Sequence, residues 1–351
     1  MYRVLYPVSW LYGIAVASRN AAFDAGLLRR ERVPAPVISV GNLTAGGTGK
    51  TPLVEYLLEQ LIARGEGAAV VSLGYGRRSR GVVIVSDNGR VLVDAQGGGD
   101  EPVQIARKFP RASVVVGERR VEAARTAIER CGARVIVMDD GFQHRYLERD
   151  LSIVVIDSRK PLYDEPLLPA GMRREQLSAL RRADLLAFSR SDGPGEPPWR
   201  ANLQRYSDAD SISFRSVIRS FEALPERARL DLASLKGLRV FAFSGIGDHA
   251  AFLSDLRSAG PLVVGERQFA DHHCLRAGEI DQLLETSSGV KAEAFVTTEK
   301  DAVRMAAEPC TIARLRERMP VICAVASLEL LRGESTLAQA LERALEKGRP
   351  S

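Results

Sequence analysis

The residues best suited to chemistry form a glycine-rich run that ends in lysine and threonine, Gly46-Gly47-Thr48-Gly49-Lys50-Thr51. Glycine lets a main chain turn tightly enough to direct successive N–H groups at an anion, and a helix starting here adds the positive end of its dipole. In the pattern G-x-x-x-x-G-K-[ST], the lysine reaches the β- and γ-phosphates of a nucleotide and the hydroxyl coordinates Mg²⁺. The predicted phosphate-binding residues are Thr44, Ala45, Gly46, Gly47, Thr48, Gly49, Lys50 and Thr51.

One position departs from this general pattern. Its first glycine falls on Thr44, whereas Gly41 lies three residues too early. A glycine-rich turn with a chance Gly-Lys-Thr is therefore the alternative. The strand expected before the loop and the helix expected after it favour the nucleotide interpretation.

Two adjacent acids, Asp139 and Asp140, follow the apolar run Val135-Ile136-Val137-Met138. A phosphate loop needs a carboxylate at the end of a neighbouring strand to help hold a metal ion. An acid pair after a strand can also be a solvated turn, but here Gly141 and His144 follow it. We therefore expect Asp139 to be a magnesium ligand.

A third acid, Asp100, lies in a Gly-Gly-Gly-Asp-Glu-Pro loop that is flexible enough to approach a substrate. Phosphoryl transfer to a hydroxyl needs a group that accepts the hydroxyl proton. The residue types alone do not separate Asp100, Asp139 and Asp140 as that base. Arginines are suited to phosphate contacts, although surface arginines are more often only solvated. The candidates are Arg77, Arg119, Arg120 and Arg174.

Alternating strands and helices must position these residues. Continuous apolar runs predict strands buried on both faces of a parallel sheet. The phosphate loop would follow the first of these strands and precede a helix over 53–63, and Asp87-Asn88-Gly89 predicts a hairpin turn. This pattern is typical of a doubly wound α/β fold. The predicted strands are 36–40, 68–73, 113–116, 135–138 and 152–156.

The run Gly-Pro-Gly-Glu-Pro-Pro at 193–198 is the clearest break in the chain. An extended connecting strand is expected over 211–224, and α/β alternation resumes after it. Strands are then expected at 240–244, 294–298 and 321–324, with helices from about residue 250 and over 336–347. We predict an amino-terminal membrane-associated helix over 1–30, a P-loop domain with its linker over 31–230, and a smaller α/β domain over 231–351.

The apolar stretch Val4–Ala17 is similar to a short signal peptide, with a small-residue sequence at its end. Pro7 interrupts the stretch, however, and its aromatic residues give it the amphipathic character of an interfacial segment. Arginines after it would suit an anionic cytoplasmic leaflet. These residues favour docking at a membrane interface, with packing on the protein's own domain and export as alternatives. The aromatic residues are Tyr2, Tyr6, Trp10 and Tyr12, and the arginines are Arg19, Arg29, Arg30 and Arg32.

The composition excludes several classes of protein. The chain has 351 residues, 45% hydrophobic and 26% charged, which excludes disorder, collagen and coiled coil. A formal net charge of +5 favours anionic partners without identifying them. The cysteines show no C-x-x-C spacing, so neither a disulfide framework nor a structural zinc site is expected. The sequence contains no run of about 18 uncharged apolar residues, so a membrane-spanning helix is not expected.

The motifs GNLTAGGTGKTP at 41–52 and DDGFQHR at 139–145 resemble those of the tetraacyldisaccharide 4'-kinase family of lipid A biosynthesis. Thr44 is the usual residue of that family at its position, whereas Met172 and Arg173 depart from the Pro-Leu expected before Arg174. Further matches extend along most of the chain, and a generic P-loop protein would share only the first motif. They are GYGR at 74–77, GDEP at 99–102, LPAG at 168–171, RE at 174–175, DHH at 271–273 and TEKDA at 298–302.

The resemblance implies a P-loop NTPase-like, mostly parallel α/β fold with a second, smaller α/β domain and an amino-terminal interfacial helix. It implies a kinase that uses ATP and Mg²⁺ to phosphorylate the 4'-hydroxyl of a tetraacyl disaccharide 1-phosphate, peripherally at the cytoplasmic face of the bacterial inner membrane. It points to no nucleic-acid or protein partner. The implied catalytic residues are Asp100, His272 and Lys50; the metal ligands are Thr51, Asp139, Asp140 and Glu175; and the substrate contacts are Arg77, Arg120, Gln143, His144 and Arg174.

Two other functions remain as alternatives. A regulatory or metal-delivery GTPase would share the phosphate loop, but its guanine-specific element has the order [NT]-K-x-D. Thr298-Glu299-Lys300-Asp301 has these residue types in another order, because Lys300 directly precedes Asp301. A nucleic-acid-binding protein would explain a pI near 9.1, but the chain lacks a motif of interleaved aromatic and basic residues.

Overall fold

The computed structural model describes residues 2–348. Its helices are α1 (Tyr6–Asp24), α2 (Lys50–Ala63), α3 (Ala95–Gly98), α4 (Asp100–Lys108), α5 (Arg120–Cys131), α6 (His249–Ser258), α7 (Ala277–Gly289), α8 (Glu299–Ala306), α9 (Pro309–Arg316) and α10 (Glu334–Gly348). Its strands are β1 (Val37–Asn42), β2 (Ala68–Ser72), β3 (Val83–Asp87), β4 (Arg90–Val91), β5 (Ser113–Val116), β6 (Val135–Asp139), β7 (Leu151–Asp157), β8 (Leu185–Ser189), β9 (Asp210–Ala223), β10 (Ala228–Leu230), β11 (Arg239–Ser244), β12 (Leu262–Gln268), β13 (Ala294–Thr298) and β14 (Val321–Arg332).

Within the described residues, all of these strands belong to one continuous sheet. Its order is β12-β11-β13-β14-β9-β8-β7-β1-β6-β2-β5-β3-β4, with β10 beside β9. The six strands from β5 to β8 in this order are mutually parallel. Helices cover both faces, because separate clusters of buried side chains lie on the two sides of the sheet. The predicted doubly wound, mostly parallel α/β fold is therefore confirmed.

The order of the central strands places the phosphate loop beside the acid pair. β1 is buried along its whole length, as its continuous apolar run predicts. It lies next to β6, and Val40 is opposite Asp139 in the register of the two strands. The carboxyl ends of neighbouring parallel strands meet at one edge of a sheet, where α/β proteins bind their ligands. Residues that are distant in the chain thus come together at this edge.

A long antiparallel ribbon of β9 and β14 joins the two parts of the sheet. β9 runs parallel to β8, and β14 runs parallel to β13. The two strands pair from Ala223 opposite Ile322 to Ser213 opposite Arg332. β14 therefore extends well beyond Ala324, the end that its apolar run predicts. Its later residues are only partly buried, so its pairing with β9, rather than hydrophobicity, stabilises this extension.

The smaller unit is an insertion between β9 and β14. Its parallel strands β12, β11 and β13 lie beside the start of β14, and separate buried clusters cover the two faces of this part of the sheet. Helix α10 lies within residues 231–351, which are predicted to form the smaller domain, but it packs on the P-loop unit. Its Leu337 and Leu341 lie in the same buried cluster as Ile38 and Leu57. We therefore propose that α10 be counted with the P-loop unit, and that the smaller unit end near the start of β14.

The amino-terminal segment begins with a single 3₁₀ turn, Tyr2–Leu5, and continues as α1. Pro7 lies in the first turn of α1, where its missing N–H costs no helical hydrogen bond. It therefore begins the helix and does not interrupt it. Only a few residues of α1 are buried, among them Ser9, Gly13 and Phe23, so most of the helix surface is open.

Candidate active site

The phosphate loop, which connects β1 to α2, is held in shape by contacts at its base. Asn42 Nδ2 donates to the Thr48 hydroxyl over 2.8 Å, and the Ser189 hydroxyl donates to the Thr48 carbonyl over 2.7 Å. Gly49 immediately precedes α2 with a φ of 84°, a left-handed conformation that glycine adopts without strain. The two glycines at the tip, 46–47, are exposed. A fixed base and an open tip are what a phosphate cradle requires.

Lys50, the first residue of α2, faces Asp140. Its Nζ lies 3.2 Å from Asp140 Oδ1, and Arg174 Nη1 donates to both carboxylate oxygens of Asp140 over 3.0 and 2.9 Å. Burial alone would raise the pKa of Asp140, but Lys50 and Arg174 outweigh it and hold this pKa below the usual value. An ionised Asp140 therefore holds the two cations together beside the phosphate loop.

Asp139 has a different environment although it is the adjacent residue. It is buried, and the Ser72 hydroxyl donates to Oδ2 over 3.2 Å. Burial and the negative charge of Asp140 raise the pKa of Asp139 to about 6, against the opposite effect of Lys50. A buried carboxylate that lacks a full counter-charge is suited to bind a cation. This is the condition that the predicted magnesium ligand has to meet.

The donor set fits Mg²⁺, which takes oxygen ligands and is often held by one or two protein oxygens together with substrate phosphates. Thr51 follows Lys50 in the first turn of α2, and Asp139 ends the strand beside β1. Among residues 2–348, no three His, Cys, Asp or Glu side chains form a group that could hold a metal ion. Thr51 and Asp139 stay the side chains predicted to hold Mg²⁺, together with Asp140, whose carboxylate contacts Lys50 and Arg174 in this structure.

Glu175, which is also predicted to be a metal ligand, contacts Arg182 and Asn20 in this structure. Arg182 Nη2 donates to its two carboxylate oxygens over 2.9 and 2.8 Å. Asn20 Nδ2, from α1, donates to Oε2 over 2.7 Å. Because these partners engage both oxygens, Glu175 would have to exchange one of them for a metal ion, and its assignment as a ligand stays a prediction.

Asp100, the first residue of α4, meets His272 of the smaller unit. His272 Nδ1 and Asp100 Oδ2 are 2.9 Å apart, and this hydrogen bond raises the pKa of His272 above its usual value. The two residues are 172 positions apart in the chain. The structure thus brings the predicted base and its predicted partner together across the cleft between the two units.

Two glycine loops carry Asp100 to this position. A Cβ on Gly74 would lie 2.7 Å from the Gly98 carbonyl oxygen, and a Cβ on Gly99 would lie 3.0 Å from the Gly74 backbone. Larger residues at these positions would therefore separate the loop after β2 from the loop before α4. Tyr75, between the glycines of the first loop, places its ring 5.3 Å from that of His272.

The predicted substrate-contact residues divide into those that face the acid pair and one that does not. Arg120 is buried, and its Nη1 donates to the Gly117 carbonyl over 3.0 Å. Burial lowers the pKa of Arg120, while the charges of Asp139 and Asp140 act in the opposite direction. Arg120 therefore lies within electrostatic range of the acid pair.

Gln143 and His144 follow the acid pair and support the same region. Gln143 Nε2 donates to the Asn42 carbonyl over 2.9 Å, at the start of the phosphate loop. Burial and the charge of Arg120 lower the pKa of His144 to about 4, so this side chain is neutral at pH 7. Arg77, by contrast, uses its guanidinium on its own loop, where Nη2 contacts the Gly81 carbonyl and the Glu118 carboxylate, each over 2.7 Å.

Buried ion pairs close the cleft between the two units. Lys300 of α8 contacts Glu101 of α4 over 2.5 Å. Lys108, at the end of α4, lies 2.7 Å from Glu55 and 3.3 Å from Glu299. Glu299 and Lys300 therefore hold the smaller unit against the P-loop unit.

Helix α1 contacts the active-site region through one side and exposes apolar residues elsewhere. The Tyr12 hydroxyl donates to the Arg174 carbonyl over 2.9 Å, and the Ser9 hydroxyl accepts from the Ala170 N–H over 2.9 Å. No helix within residues 2–348 is both long enough and apolar enough to span a membrane. The exposed large apolar side chains of this segment are Val4, Tyr6, Val8, Trp10, Leu11 and Ile14.

Sequence reasoning missed several residues of the site. Arg304 of α8 contacts Asp100, Ser189 of β8 supports the phosphate loop, and Tyr12 contacts the segment that carries Arg174. Each acts through a contact between distant parts of the chain, so no local pattern indicates it. A cavity of about 690 Å³ beside His272 was also not predicted; the 270–277 loop and the first turns of α7 and α9 line it.

Comparisons with known proteins identify the family of this chain. A family model described as tetraacyldisaccharide-1-P 4'-kinase matches residues 1–346. A tetraacyldisaccharide 4'-kinase from Anaeromyxobacter sp. (strain Fw109-5) is 42% identical over 343 residues, covering 96% of this chain and 90% of the relative. One from Geobacter sulfurreducens is 38% identical over 336 residues, covering 95% and 91%.

A solved structure extends the similarity to three dimensions. The crystal structure described as the "apo" form of LpxK from Aquifex aeolicus in complex with ATP matches with a TM-score of 0.77 and 30% sequence identity. The match covers 98% of this chain and 99% of that chain. The family model, the relatives and the solved structure all extend over nearly the whole chain, and so the protein belongs to the tetraacyldisaccharide-1-P 4'-kinase family.

Proposed function

We propose that the protein transfers the γ-phosphate of ATP to the 4'-hydroxyl of a tetraacyl disaccharide 1-phosphate, forming lipid IVA in lipid A biosynthesis. The observation that carries this proposal is the pairing of Asp100 with His272 over 2.9 Å in a chain that also has a phosphate loop ending in Lys50. A nucleotide switch needs no group that takes a proton from an acceptor hydroxyl, whereas a kinase for a sugar hydroxyl does. Family membership supports the same activity.

The phosphate-binding residues act mainly by position and charge. The phosphate loop binds the β- and γ-phosphates, and Lys50 exchanges its contact with Asp140 for a phosphate oxygen. Arg174 and Arg120 lie near the acid pair and balance the charge that develops on the transferred group. Mg²⁺, held by Thr51 and Asp139, would neutralise charge on the phosphate oxygens.

Asp100 takes the proton of the acceptor hydroxyl during transfer. The hydroxyl oxygen forms a new bond to the γ-phosphorus as the bond from that phosphorus to the β–γ bridging oxygen breaks, and ADP leaves. The proton moves from the hydroxyl to Asp100. His272 orients the carboxylate through its Nδ1, and solvent receives the proton after the product has left.

The open face of α1 supports binding at the membrane that contains the lipid. Trp10 and Leu11 are 69% and 61% exposed, which is typical of an interfacial helix and costly for a surface that faces only water. A tetraacyl lipid cannot leave the bilayer cheaply, since each buried CH₂ contributes about 0.8 kcal/mol. We therefore propose peripheral binding to the cytoplasmic face of the inner membrane, where ATP is present.

The function is tested with labelled ATP and tetraacyl disaccharide 1-phosphate in detergent micelles. Wild-type protein should transfer label to the lipid with Mg²⁺, and GTP should be a poor donor. Asp100→Asn keeps the shape of the side chain but cannot take the proton, so its kcat should fall by about 10²–10⁴-fold while MgATP still binds. Label on the lipid with GTP but not ATP, or no label in the lipid at all, would refute the proposal.

A further inference from the structure

A second side chain, Arg304, lies against the carboxylate of Asp100. His272 Nδ1 contacts Oδ2, and in the described part of the chain no side chain or backbone N–H donates to Oδ1. Arg304 Nε lies 2.9 Å from the same Oδ2, an ion-pair contact without hydrogen-bond geometry. One oxygen of Asp100 therefore has both a hydrogen bond to His272 and an ion pair with Arg304, whereas the other oxygen has neither.

Arg304 is itself fixed by the smaller unit. Its side chain is 4% exposed. Nη1 donates to the His273 carbonyl over 3.0 Å, and Nη2 donates to the Gly245 carbonyl over 2.9 Å. Asp301, one turn earlier in α8, lies 3.1 Å from Nη1. A guanidinium with this many fixed partners has little freedom to move, so the position of its Nε is determined by the fold.

Gly245 leaves space for this guanidinium because glycine has no side chain. A Cβ on Gly245 would lie 2.9 Å from Arg304 Nη1, and the Gly245 N–H donates to Asp301 Oδ1 over 3.0 Å. The contact with the His273 carbonyl also ties Arg304 to the loop that carries His272. One side chain therefore contacts the base and the segment of its histidine partner.

We propose that Arg304 is a positioning residue that holds Oδ2 of Asp100, so that Oδ1 faces the acceptor hydroxyl. Asp100 belongs to the P-loop unit and Arg304 to the smaller unit, so the contact requires the two units to pack together as they do in this structure. This inference rests on the proposed function, because it assigns Arg304 an effect only through Asp100.

The test is a double-mutant cycle in the complete protein. Arg304→Gln should lower kcat by about 10–100-fold, a part of what a general base contributes, with the KM for ATP within about twofold of wild type. In the Asp100→Asn background, Arg304→Gln should change kcat by less than about twofold, because groups that act as a unit are not additive. Losses that multiply in the double variant would overturn the proposal.

Lys300→Gln is the matched control, since Lys300 lies on the same helix and contacts Glu101, the neighbour of Asp100. If Lys300→Gln lowers kcat by weakening the contact between the two units, the same fold loss of kcat should remain in the Asp100→Asn background. The loss of kcat caused by Arg304→Gln should not remain in that background. A loss from Arg304→Gln that persists as it does for Lys300→Gln would show that Arg304 only holds the units together, and would overturn the proposal.

Gly245→Ala provides a second route if Arg304→Gln fails to fold, because the added methyl group displaces the guanidinium without removing its charge. It should lower kcat in wild type and have little further effect in Asp100→Asn; unchanged kcat would count against positioning. The Asp100→Asn variant alone tests the proposed function separately from the role of Arg304. If it retains wild-type kcat, the proposed base fails, and the role of Arg304 fails with it.

Discussion

Glu55 and Glu299 share one cation, Lys108, which predicts a specific pH dependence of stability. Glu55 lies on α2 and is 4% exposed. Burial raises the pKa of Glu55 to about 7, and the charge of Glu299 adds to this against the effect of Lys108. Near neutral pH the folded protein therefore holds a proton at this site that the unfolded chain has already released.

The size of the effect follows from the shift. A carboxyl group whose pKa is raised in the folded state stabilises it fully below the unfolded value of 4.5, and this contribution is lost as the pH rises through about 7. The full loss is about 3 kcal/mol, since each unit of pKa shift corresponds to about 1.4 kcal/mol. Glu55→Gln carries no titrating proton, and its amide oxygen can still accept from Gln104 as Glu55 Oε1 does.

Urea unfolding of wild type and Glu55→Gln, measured from about pH 5 to about pH 8, tests this reasoning. The variant should gain up to about 3 kcal/mol of unfolding free energy relative to wild type across that range. Glu101→Gln is the control, because Lys300 outweighs burial and holds the pKa of Glu101 below its usual value. The Glu101 carboxylate loses its contribution to stability only below that pH range. The difference in unfolding free energy between Glu101→Gln and wild type should therefore be constant across the range. A constant difference for Glu55→Gln as well would refute the argument.

Three further variants test the remaining parts of the site. Lys50→Ala should abolish transfer, with kcat at least about 10³-fold lower and unchanged far-UV circular dichroism, because Lys50 lies on the phosphate loop and not in the core; near-normal transfer would remove the loop from the mechanism. Asp139→Ala should be similarly impaired, and raised Mg²⁺ should partly restore its kcat if Asp139 is a metal ligand. Trp10→Asp should weaken sedimentation with anionic lipid vesicles and raise the KM for the lipid but not for ATP; unchanged vesicle binding would favour a helix that only packs on its own protein.

Much of the fold could be predicted from the sequence because the central strands are buried on both faces. The predicted strands at 113–116 and 294–298 coincide with β5 and β13. β12 was not predicted, because it is an edge strand with a largely exposed surface and therefore lacks a continuous apolar run. The packing of α10 on the P-loop unit could not be predicted either, since an amphipathic pattern shows that a helix has a buried face but not which unit buries it.

The residues of the candidate site also divide into those that local sequence patterns predict and those that only the fold brings together. Lys50 and Asp139 could be predicted from local spacing, because a loop between a strand and a helix and an acid pair after a strand are both local patterns. The ion pair of Glu175 with Arg182 could not, because the contacts of a carboxylate depend on which segments the fold brings near it. Arg304 is the clearest example: its contact with Asp100 joins α8 to α4, and nothing in the residues around it indicates that contact.

The ribbon of β9 and β14 also makes the smaller unit a removable cassette. The chain leaves the P-loop unit after Ala223 and returns at Ile322, and these two residues are directly opposite each other in an antiparallel pair. A two-residue turn of the Asn-Gly type can join such positions. Replacing residues 224–321 by that turn would leave the sheet of the P-loop unit and α10 covalently continuous. Conversely, the corresponding segment of a relative could be grafted between the same two residues, so that the residues that contact Asp100 could be exchanged between family members without rebuilding the phosphate loop.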